Sequence, residues 1–191
     1  MATTKPGERK LQILQTLAAM LEDPKGEKIT TAALAARLDV SEAALYRHFA
    51  SKAQMFEGLI DFIETTVFGL INQIGEQQEN GLSQAQAIIG MLLNFAERNP
   101  GMTRVLIGDA LVNEDERLQS RMNQFVERVE LALKQSLRIA VTQGEAKEAE
   151  VATRANLMMA MVVGRWHRFA KTGFKQNPSD NAQAQIAILL V

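Results

Sequence analysis

A cluster of small, polar and basic residues lies in the first quarter of the chain. Its members, in chain order, are Ser41, Ala43, Ala44, Tyr46, Arg47, His48 and Lys52. Arg47 falls one helical turn after Ala43, so a helix would present both on one face. Small side chains let a helix enter the major groove of duplex DNA, where a guanidinium binds a guanine edge or a phosphate. Tyrosine and histidine donate to phosphate oxygens. These residue types and spacings therefore predict hydrogen bonding to duplex DNA.

Two predicted helix starts lie close to this cluster. Thr30 and Thr31 precede one short helix, and Lys52 stands at the start of another. The unpaired N–H groups of a helix N-terminus favour an anion. We therefore expect these three side chains to contact DNA phosphates. Singly, a threonine cap or a solvated lysine is an ordinary structural feature, and only the combined order of the residues favours DNA.

Three short helices are predicted to position the cluster. The first, over 10–22, has an apolar stripe of Leu14, Leu17, Ala18 and Leu21. The sequence at 23–26, Asp-Pro-Lys-Gly, ends it. A second helix runs to about 38, residues 39–40 form a turn, and a third, capped by Ser41, runs to about 49. Two short helices joined by a tight turn are typical of a helix-turn-helix unit.

The remainder of the chain has the composition of a helical body. Only 5% of the residues are aromatic, and Ala, Leu, Ile and Met dominate, which favours helix over sheet. Ser51 and Gln54 fit a capping box. With a polar loop at 75–81, helices are predicted at about 51–74, 83–98, 103–111, 114–143, 148–171 and 181–191. The predicted fold class is all-α, with a DNA-binding domain at 1–52 and a dimerisation and partner-binding domain at 53–191.

An apolar seam on the 114–143 helix is predicted to pair two subunits. It consists of Leu118, Met122, Phe125, Val129, Leu133 and Leu137. With the 157–169 segment, where Gly164 would allow close helix approach, it is expected to form the four-helix interface of a homodimer and also to contribute to the core of its own chain. Met158, Met159 and Met161 are expected in the core, although methionines also suit a ligand cavity.

Composition limits the possible functions. The chain has no cysteine, which excludes disulfides and thiolate sites. It has two histidines, no G-x-S-x-G motif and no phosphate-binding glycine loop, which argues against an enzyme and a bound cofactor. Residues 1–52 carry a net charge of +2 within a chain of net charge −1, so a basic head would face a phosphate backbone. Without a secretory signal or a long apolar stretch, a cytoplasmic protein that does not bind membranes is expected.

The head resembles the DNA-binding domain of the TetR repressor family. The residues that carry the resemblance are Leu34-Ala35, Asp39-Val40, Ser41, Leu45-Tyr46, Phe49 and Lys52. Asp39 stands where the family usually has glycine, and aspartate tolerates the left-handed conformation of such a turn. The resemblance implies a TetR-like fold, with a three-helix head and a helical body that dimerises.

The sequence similarity extends beyond the head to a TetR-type family of nucleoid occlusion factors. The segments SEAALYRHF, SKAQMFEGLIDFIE and FAERNPGMTRVLIGDALVNEDERLQSRMNQFVERVE are similar to that family, over most of residues 9–140. The resemblance implies a nucleoid-associated homodimer that binds short palindromic sites in double-stranded DNA. It also implies binding to FtsZ, the tubulin-like division GTPase, so that the DNA-bound protein disrupts FtsZ polymers over the chromosome.

The resemblance places an FtsZ-binding groove between the fourth and fifth helices. The residues carried over are Phe62, Met91, Asn94, Arg98 and Asn99. Met91 and Asn94 differ in type from the family pattern, and Leu70 stands where an arginine is usual, which affects the expected strength or geometry of binding. On spacing alone, Arg98 and Asn99 before Pro-Gly would be a helix C-cap.

A ligand-released transcriptional repressor is the alternative. Such a protein needs a pocket with a few convergent polar groups. The body has few aromatic residues and no such polar set stands out in the sequence, so no small-molecule inducer is expected.

Overall fold

The computed structural model describes residues 6–23 and 29–190 and is all-helical over that part of the chain. Its helices are α1 (Pro6–Leu21), α2 (Thr31–Arg37), α3 (Glu42–Tyr46), α4 (Lys52–Gln77), α5 (Gly81–Arg98), α6 (Pro100–Leu106), α7 (Glu116–Thr142), α8 (Glu148–Lys171) and α9 (Ala182–Leu190). A short 3-10 helix over Asp109–Leu111 follows α6. None of these described helices combines the length and apolar character that a bilayer crossing requires.

The three-helix head forms from local caps and a small apolar core. The side chains of Thr30 and Ser41 accept hydrogen bonds from Ala33 N and Ala44 N and so begin α2 and α3. Asp39 has φ 54°, the left-handed conformation that the turn between them needs. The core of the head consists of Ile13, Leu17, Leu21, Leu34, Ala35, Leu45 and Phe49.

Two details of the predicted head are wrong. The third helix ends at Tyr46, not at 49, because the N–H groups of His48 and Phe49 both bond back to the Leu45 carbonyl. This turn buries Phe49 and leaves Ser51 free to cap α4. In α1, Ile13 is buried and Leu14 only half-buried, so the buried stripe is shifted by one residue at its start. Most of the predicted break at 23–26 lies outside the described residues.

The helix α4 is longer than predicted and joins the head to the body. The predicted Ser51 cap is confirmed, because Ser51 Oγ accepts from Gln54 N at 3.2 Å. The reciprocal half of the predicted capping box is shifted by one residue, because Gln54 Oε1 accepts from Ala50 N at 2.8 Å and not from Ser51 N. The predicted loop at 75–81 is wrong, since α4 continues to Gln77 and α5 begins at Gly81. A Cβ at Gly81 would lie 2.3 Å from Ala140 N, so the loop ends where α5 meets the α7 backbone.

The apolar seam of α7 is buried inside its own chain. All six of its predicted members are 0–1% exposed, and α7 packs against α4, α5 and α8. The prediction that this seam contributes to the core of its own chain is confirmed. The prediction that it also faces a second subunit is wrong, because its contacts are already made within one chain. Met158 and Met159 lie in the same core, as expected, and Met161 packs against it. Trp166, fully buried, donates to the carbonyl of Leu92 at 3.2 Å.

The helix α6 connects the body to the head. It starts at Pro100 rather than at the predicted 103, because proline at the first helical position needs no N–H partner. Arg104 Nη1 donates to the carbonyl of Asp23 at 3.1 Å, and Arg104 Nη2 donates to Asp109 Oδ2 at 2.9 Å. Lys171 also donates to Asp109. Burial raises the pKa of Asp109, but the hydrogen bonds from Lys171 and Arg104 outweigh it and lower that pKa.

We expect Gly101→Ala to destabilise the protein by about 2–4 kcal/mol. A Cβ at Gly101 would lie 2.0 Å from the Ala18 carbonyl oxygen, so α1 would have to separate from α6. Urea unfolding measures the loss. Gly90→Ala is the matched control, because that helical glycine has open space around it, and this change should be neutral or stabilising by up to about 1 kcal/mol. Equal stabilities of the two variants would contradict the close contact.

Candidate nucleic-acid interface and partner groove

The predicted DNA-contacting residues of α3 lie on the surface of the head. Ser41, Ala43 and Arg47 are exposed, Tyr46 is 45% exposed, and Ala44 and His48 are half-buried. Arg47 is the C-cap of α3 and makes no ion pair or side-chain hydrogen bond with a described residue. A small-residue helix start followed by a free guanidinium can enter a groove and bind a base edge or a phosphate.

The two threonines of α2 have different roles. Thr30 Oγ1 accepts from Ala33 N at 3.1 Å, so its hydroxyl hydrogen is still available to a phosphate oxygen. Thr31 Oγ1 donates to Glu42 Oε2 at 2.5 Å and so links α2 to α3. Sequence reasoning missed Glu42 in this role, although a hydroxyl and a carboxylate at the starts of two adjacent short helices were a usable signal. The hydrogen bond connects the starts of α2 and α3 on the exposed side of the head.

Lys52 forms an ion pair with the body. Its Nζ lies 2.5 Å from Glu114 Oε1, and the two side chains are 20% and 10% exposed. The ammonium also lies 5.6 Å from the centre of the Phe56 ring. No sequence signal predicted this pair, because its members are 62 residues apart. The lysine stands at the start of α4 as predicted, but its charge is directed to a carboxylate of the body.

The residues that the family resemblance predicts for the partner groove lie on an antiparallel helical hairpin. The helices α4 and α5 pack together and are joined by residues 78–80. Measured along the helix axes, Phe62 on α4 and Asn94 on α5 are each about 20 Å from the end of the hairpin, so the two residues lie at the same height along it. Met91, Asn94 and Arg98 follow helical spacing along one face of α5. Phe62, at 45% exposed, Asn94 and Arg98 are exposed, and Met91 is half-buried. We call these four residues, with Asn99, the α4–α5 face.

Asn99 has a structural role at the end of this face. It is the C-cap of α5, where its N–H bonds to the Ala96 carbonyl at 3.2 Å and its side-chain Nδ2 donates to the Phe95 carbonyl at 2.8 Å. The same residue precedes α6. Arg98 is exposed and makes no ion pair or side-chain hydrogen bond with a described residue. The cap thus accounts for Asn99, and Arg98 remains available to a partner.

A row of ion pairs fixes α4 against α7. Arg121 Nη2 donates to Asp61 Oδ1 at 2.5 Å and to Glu64 Oε2 at 2.7 Å. The hydrogen bond to Glu64 is the main cause that raises the pKa of Arg121. Arg128 lies over the Phe68 ring at 3.9 Å from its centre. These contacts hold α4 in place on both sides of Phe62.

The arrangement has no metal-binding character over the part of the chain that is described. No group of three or more histidine, aspartate and glutamate residues there could hold a metal ion. The chemistry available on these surfaces is recognition by hydrogen bonds, charge and apolar contact.

Comparison with known proteins assigns the chain to a family. A family model described as bacterial regulatory proteins of the tetR family matches residues 26–59. A second, described as SlmA-like, tetracyclin repressor-like, C-terminal domain, matches residues 79–191. The nucleoid occlusion factor SlmA of Alteromonas mediterranea is 47% identical over 188 residues, which cover 98% of this chain and 96% of that protein. The chain belongs to the SlmA family of TetR-type proteins.

Other relatives agree with this assignment. The SlmA protein of Idiomarina loihiensis is 48% identical over 95% of this chain and 93% of its own length. Because the SlmA family consists of TetR-type DNA-binding regulators, membership identifies the chain as a regulator of that class and not as an enzyme. The predicted TetR-like all-α fold is thereby confirmed.

Solved structures support the fold alone. The TetR family regulator PfmR of Thermus thermophilus superimposes with a TM-score of 0.76 at 20% identity, over 93% of this chain and 96% of that one. The fatty acid degradation regulator FadR of Bacillus halodurans gives a TM-score of 0.78 at 11% identity, over 100% and 97%. The SlmA family therefore shares its architecture with regulators of very different sequence.

Proposed function

We propose that this protein is a nucleoid occlusion factor that binds palindromic double-stranded DNA as a homodimer and, when bound to DNA, disrupts FtsZ polymers and inhibits septum formation. The observation that carries the proposal is the similarity to nucleoid occlusion factors SlmA over 98% of the chain. Residues 1–52 would read the DNA, and residues 53–191 would dimerise and bind FtsZ. The protein would act in the cytoplasm, associated with the nucleoid.

The exposed end of the head would contact the DNA. In a helix-turn-helix unit the N-terminal part of the second helix reaches base edges and the preceding helix crosses the backbone. Ser41, Ala43 and Ala44 at the start of α3 are small enough for close approach, and Arg47 is free to bind. Thr30, Tyr46, His48 and Lys52 would contact phosphates through their side chains and so fix the register. Thr31 would do so through its backbone N–H at the start of α2, since its hydroxyl hydrogen is donated to Glu42.

A stripe of exposed residues on α8 would form the dimer interface. It contains Thr153, Leu157, Ala160 and Gly164, which follow helical spacing. Leu157 is 50% exposed, and α7, which packs against α8, carries another large exposed apolar side chain, Leu131, which is 57% exposed. Small residues such as Ala160 and Gly164 allow two helices to approach closely, and large exposed apolar side chains favour burial against a second copy. The α8 stripe replaces the α7 seam as the predicted contact between subunits.

We expect Gly164→Gln to raise the dimer dissociation constant by about 100-fold. The side chain fits within one chain, since a Cβ at Gly164 has nothing within 4 Å, but it would obstruct a second copy. Sedimentation velocity measures the shift from dimer to monomer. Gly75→Gln is the control, because this exposed glycine of α4 also has open space around it. A Gly164→Gln variant as dimeric as the control would remove α8 from the interface.

The α4–α5 face would bind FtsZ. It combines an exposed aromatic residue, Phe62, with an unpaired guanidinium on Arg98, and aromatic and arginine side chains are enriched where proteins bind partners. Leu70, where the family usually has arginine, lies about two turns after Phe62 and is half-buried. We therefore expect weaker FtsZ binding than an arginine at this position would give.

Co-sedimentation tests the proposed function. FtsZ is polymerised with GTP and pelleted with the protein alone, with the protein plus a duplex that it selects from random sequence, and with the duplex alone. We expect the pelleted FtsZ to fall mainly when both protein and duplex are present. An unchanged pellet under all conditions, with the protein bound to its duplex, would overturn the FtsZ part of the proposal.

A ligand-released repressor is the second candidate. An open cleft of about 470 Å³ lies between α4, α5 and α7, where Ile71, Ile88 and Ile139 meet Gln84 and Gln135. Among the fold neighbours, FadR of Bacillus subtilis was solved in complex with stearoyl-CoA. Release of the selected duplex by stearoyl-CoA, with a rise in the melting temperature and no effect on FtsZ, would favour the repressor.

A further inference from the structure

The ammonium of Lys52 has two possible anionic partners, and the structure shows one of them already bound. Lys52 is the first residue of α4 and belongs to the head surface that the proposed function assigns to DNA. Its Nζ contacts Glu114 Oε1 at 2.5 Å. An ammonium can exchange one oxygen partner for another at little geometric cost, because it is a compact charge on a flexible stem.

The carboxylate of this pair comes from a hydrogen-bonded turn of the body. Glu114 lies between the 3-10 helix and α7, and its N–H bonds to the Leu111 carbonyl at 3.0 Å. The next residue, Asp115, caps α7 through a hydrogen bond from Arg117 N at 3.0 Å. The Glu114 side chain is 10% exposed. The body therefore presents this carboxylate from a hydrogen-bonded turn, and the ammonium reaches it on the flexible four-carbon stem of Lys52.

Lys52 differs from three other cations of the head in having a carboxylate partner. Arg37 and Arg47 are exposed, and neither forms an ion pair with a described residue. Lys10 lies over the Phe49 ring at 5.5 Å, again without a described carboxylate partner. Among these head cations only Lys52 is paired to a carboxylate of the body. Its charge is thus neutralised by the chain itself before DNA is met.

We propose that Glu114 competes with a DNA phosphate for Lys52 and thereby lowers the DNA affinity of the head. This inference rests on the proposed DNA-binding function. A phosphate at the start of α4 would take over the ammonium, and the helix N-terminus would favour that anion further. The free energy needed to break the pair reduces affinity at each head, so removal of the carboxylate should tighten binding without any new contact to DNA.

Glu114→Gln tests the proposal because it keeps the shape of the side chain and removes its charge. With a fluorescein-labelled duplex selected by the wild-type protein, we expect anisotropy titration to show about threefold tighter binding per head, or about tenfold for a dimer. Glu116→Gln is the control, since Glu116 is an exposed acid two residues away with no described ion-pair partner. It should change the affinity by less than about twofold.

A double-variant cycle separates competition from a general charge effect. Lys52→Gln should weaken binding and lower the slope of log Kd against log salt by about 0.9 per head. In the Lys52→Gln background, Glu114→Gln should no longer tighten binding. The inference is overturned if Glu114→Gln equals Glu116→Gln, or if it tightens binding equally without Lys52. Failure of the wild-type protein to bind any duplex would overturn the proposed function as well, so the two failures are distinguishable.

Discussion

Replacement of Arg47 by glutamate should weaken binding to the selected duplex by at least about 100-fold and leave the dimer intact. Arg47 is exposed at the end of α3 and makes no ion pair with a described residue, so its guanidinium is available to DNA. A bidentate contact to a base contributes about 1–3 kcal/mol, and a dimer makes it twice. A glutamate would also repel the phosphates that surround the groove. Anisotropy titration and sedimentation velocity measure the two properties.

Two further variants complete this experiment, one as a control for the charge change and one to show what Arg47 contacts. Arg138→Glu, near the far end of α7, introduces the same charge change about 33 Å along that helix from its start and should keep affinity within about threefold. Arg47→Lys keeps the charge but loses the planar fork. If Arg47→Lys keeps its affinity but loses sequence preference, Arg47 contacts a base. If the variant keeps both affinity and sequence preference, Arg47 contacts a phosphate. Normal binding by Arg47→Glu would mean that α3 does not enter the groove.

Replacement of Arg98 by aspartate should reduce the effect on FtsZ by at least about tenfold and spare DNA binding. Arg98 lies at the end of α5, exposed and without a described ion-pair partner. Its loss removes a charged contact from the α4–α5 face, and the new carboxylate reverses the local charge. The measurement is the concentration of DNA-bound protein that halves the pelleted FtsZ.

A substitution at Leu70 is expected to have the opposite effect and to strengthen the action on FtsZ. Leu70→Arg introduces the residue that the resemblance expects there, and it should lower the half-effective concentration. Arg138→Asp serves as the control for charge reversal outside the α4–α5 face. If Arg98→Asp acts on FtsZ as well as the control does, FtsZ binds elsewhere on the protein. A gain from Leu70→Arg together with a loss from Arg98→Asp would place FtsZ on this hairpin.

Local chemistry made most of the head predictable. Thr30, Ser41 and Ser51 are capping residues in sequence and in structure, and Asp39 adopts the left-handed conformation that the resemblance requires. Such features depend on neighbours within four residues, so the sequence displays them directly. The end of α3 was mispredicted because the turn after it is set by burial of Phe49 in the core, which periodicity does not reveal.

Long-range packing decided what sequence reasoning missed. The α7 seam has the spacing of a subunit interface and of an internal core alike, and only the positions of α4, α5 and α8 show that it is internal. Gly75 lies in the predicted loop, although an exposed glycine is tolerated inside a helix as long as α4. The Lys52–Glu114 pair joins distant segments and has no local signature. The residues of the candidate surfaces could thus be predicted from the sequence, but the residues that they contact elsewhere in the chain could not.

The continuity of α4 has a geometric consequence for a protein that would connect a chromosome to a division filament. One uninterrupted helix of 26 residues, about 39 Å long, runs from Lys52 at the head past Phe62 to the hairpin. No hinge or flexible linker interrupts it, so the proposed filament-binding surface would keep a set angle to the axis of a bound double helix. In a two-fold symmetric assembly, bound DNA would therefore dictate the directions from which two filament subunits can be engaged.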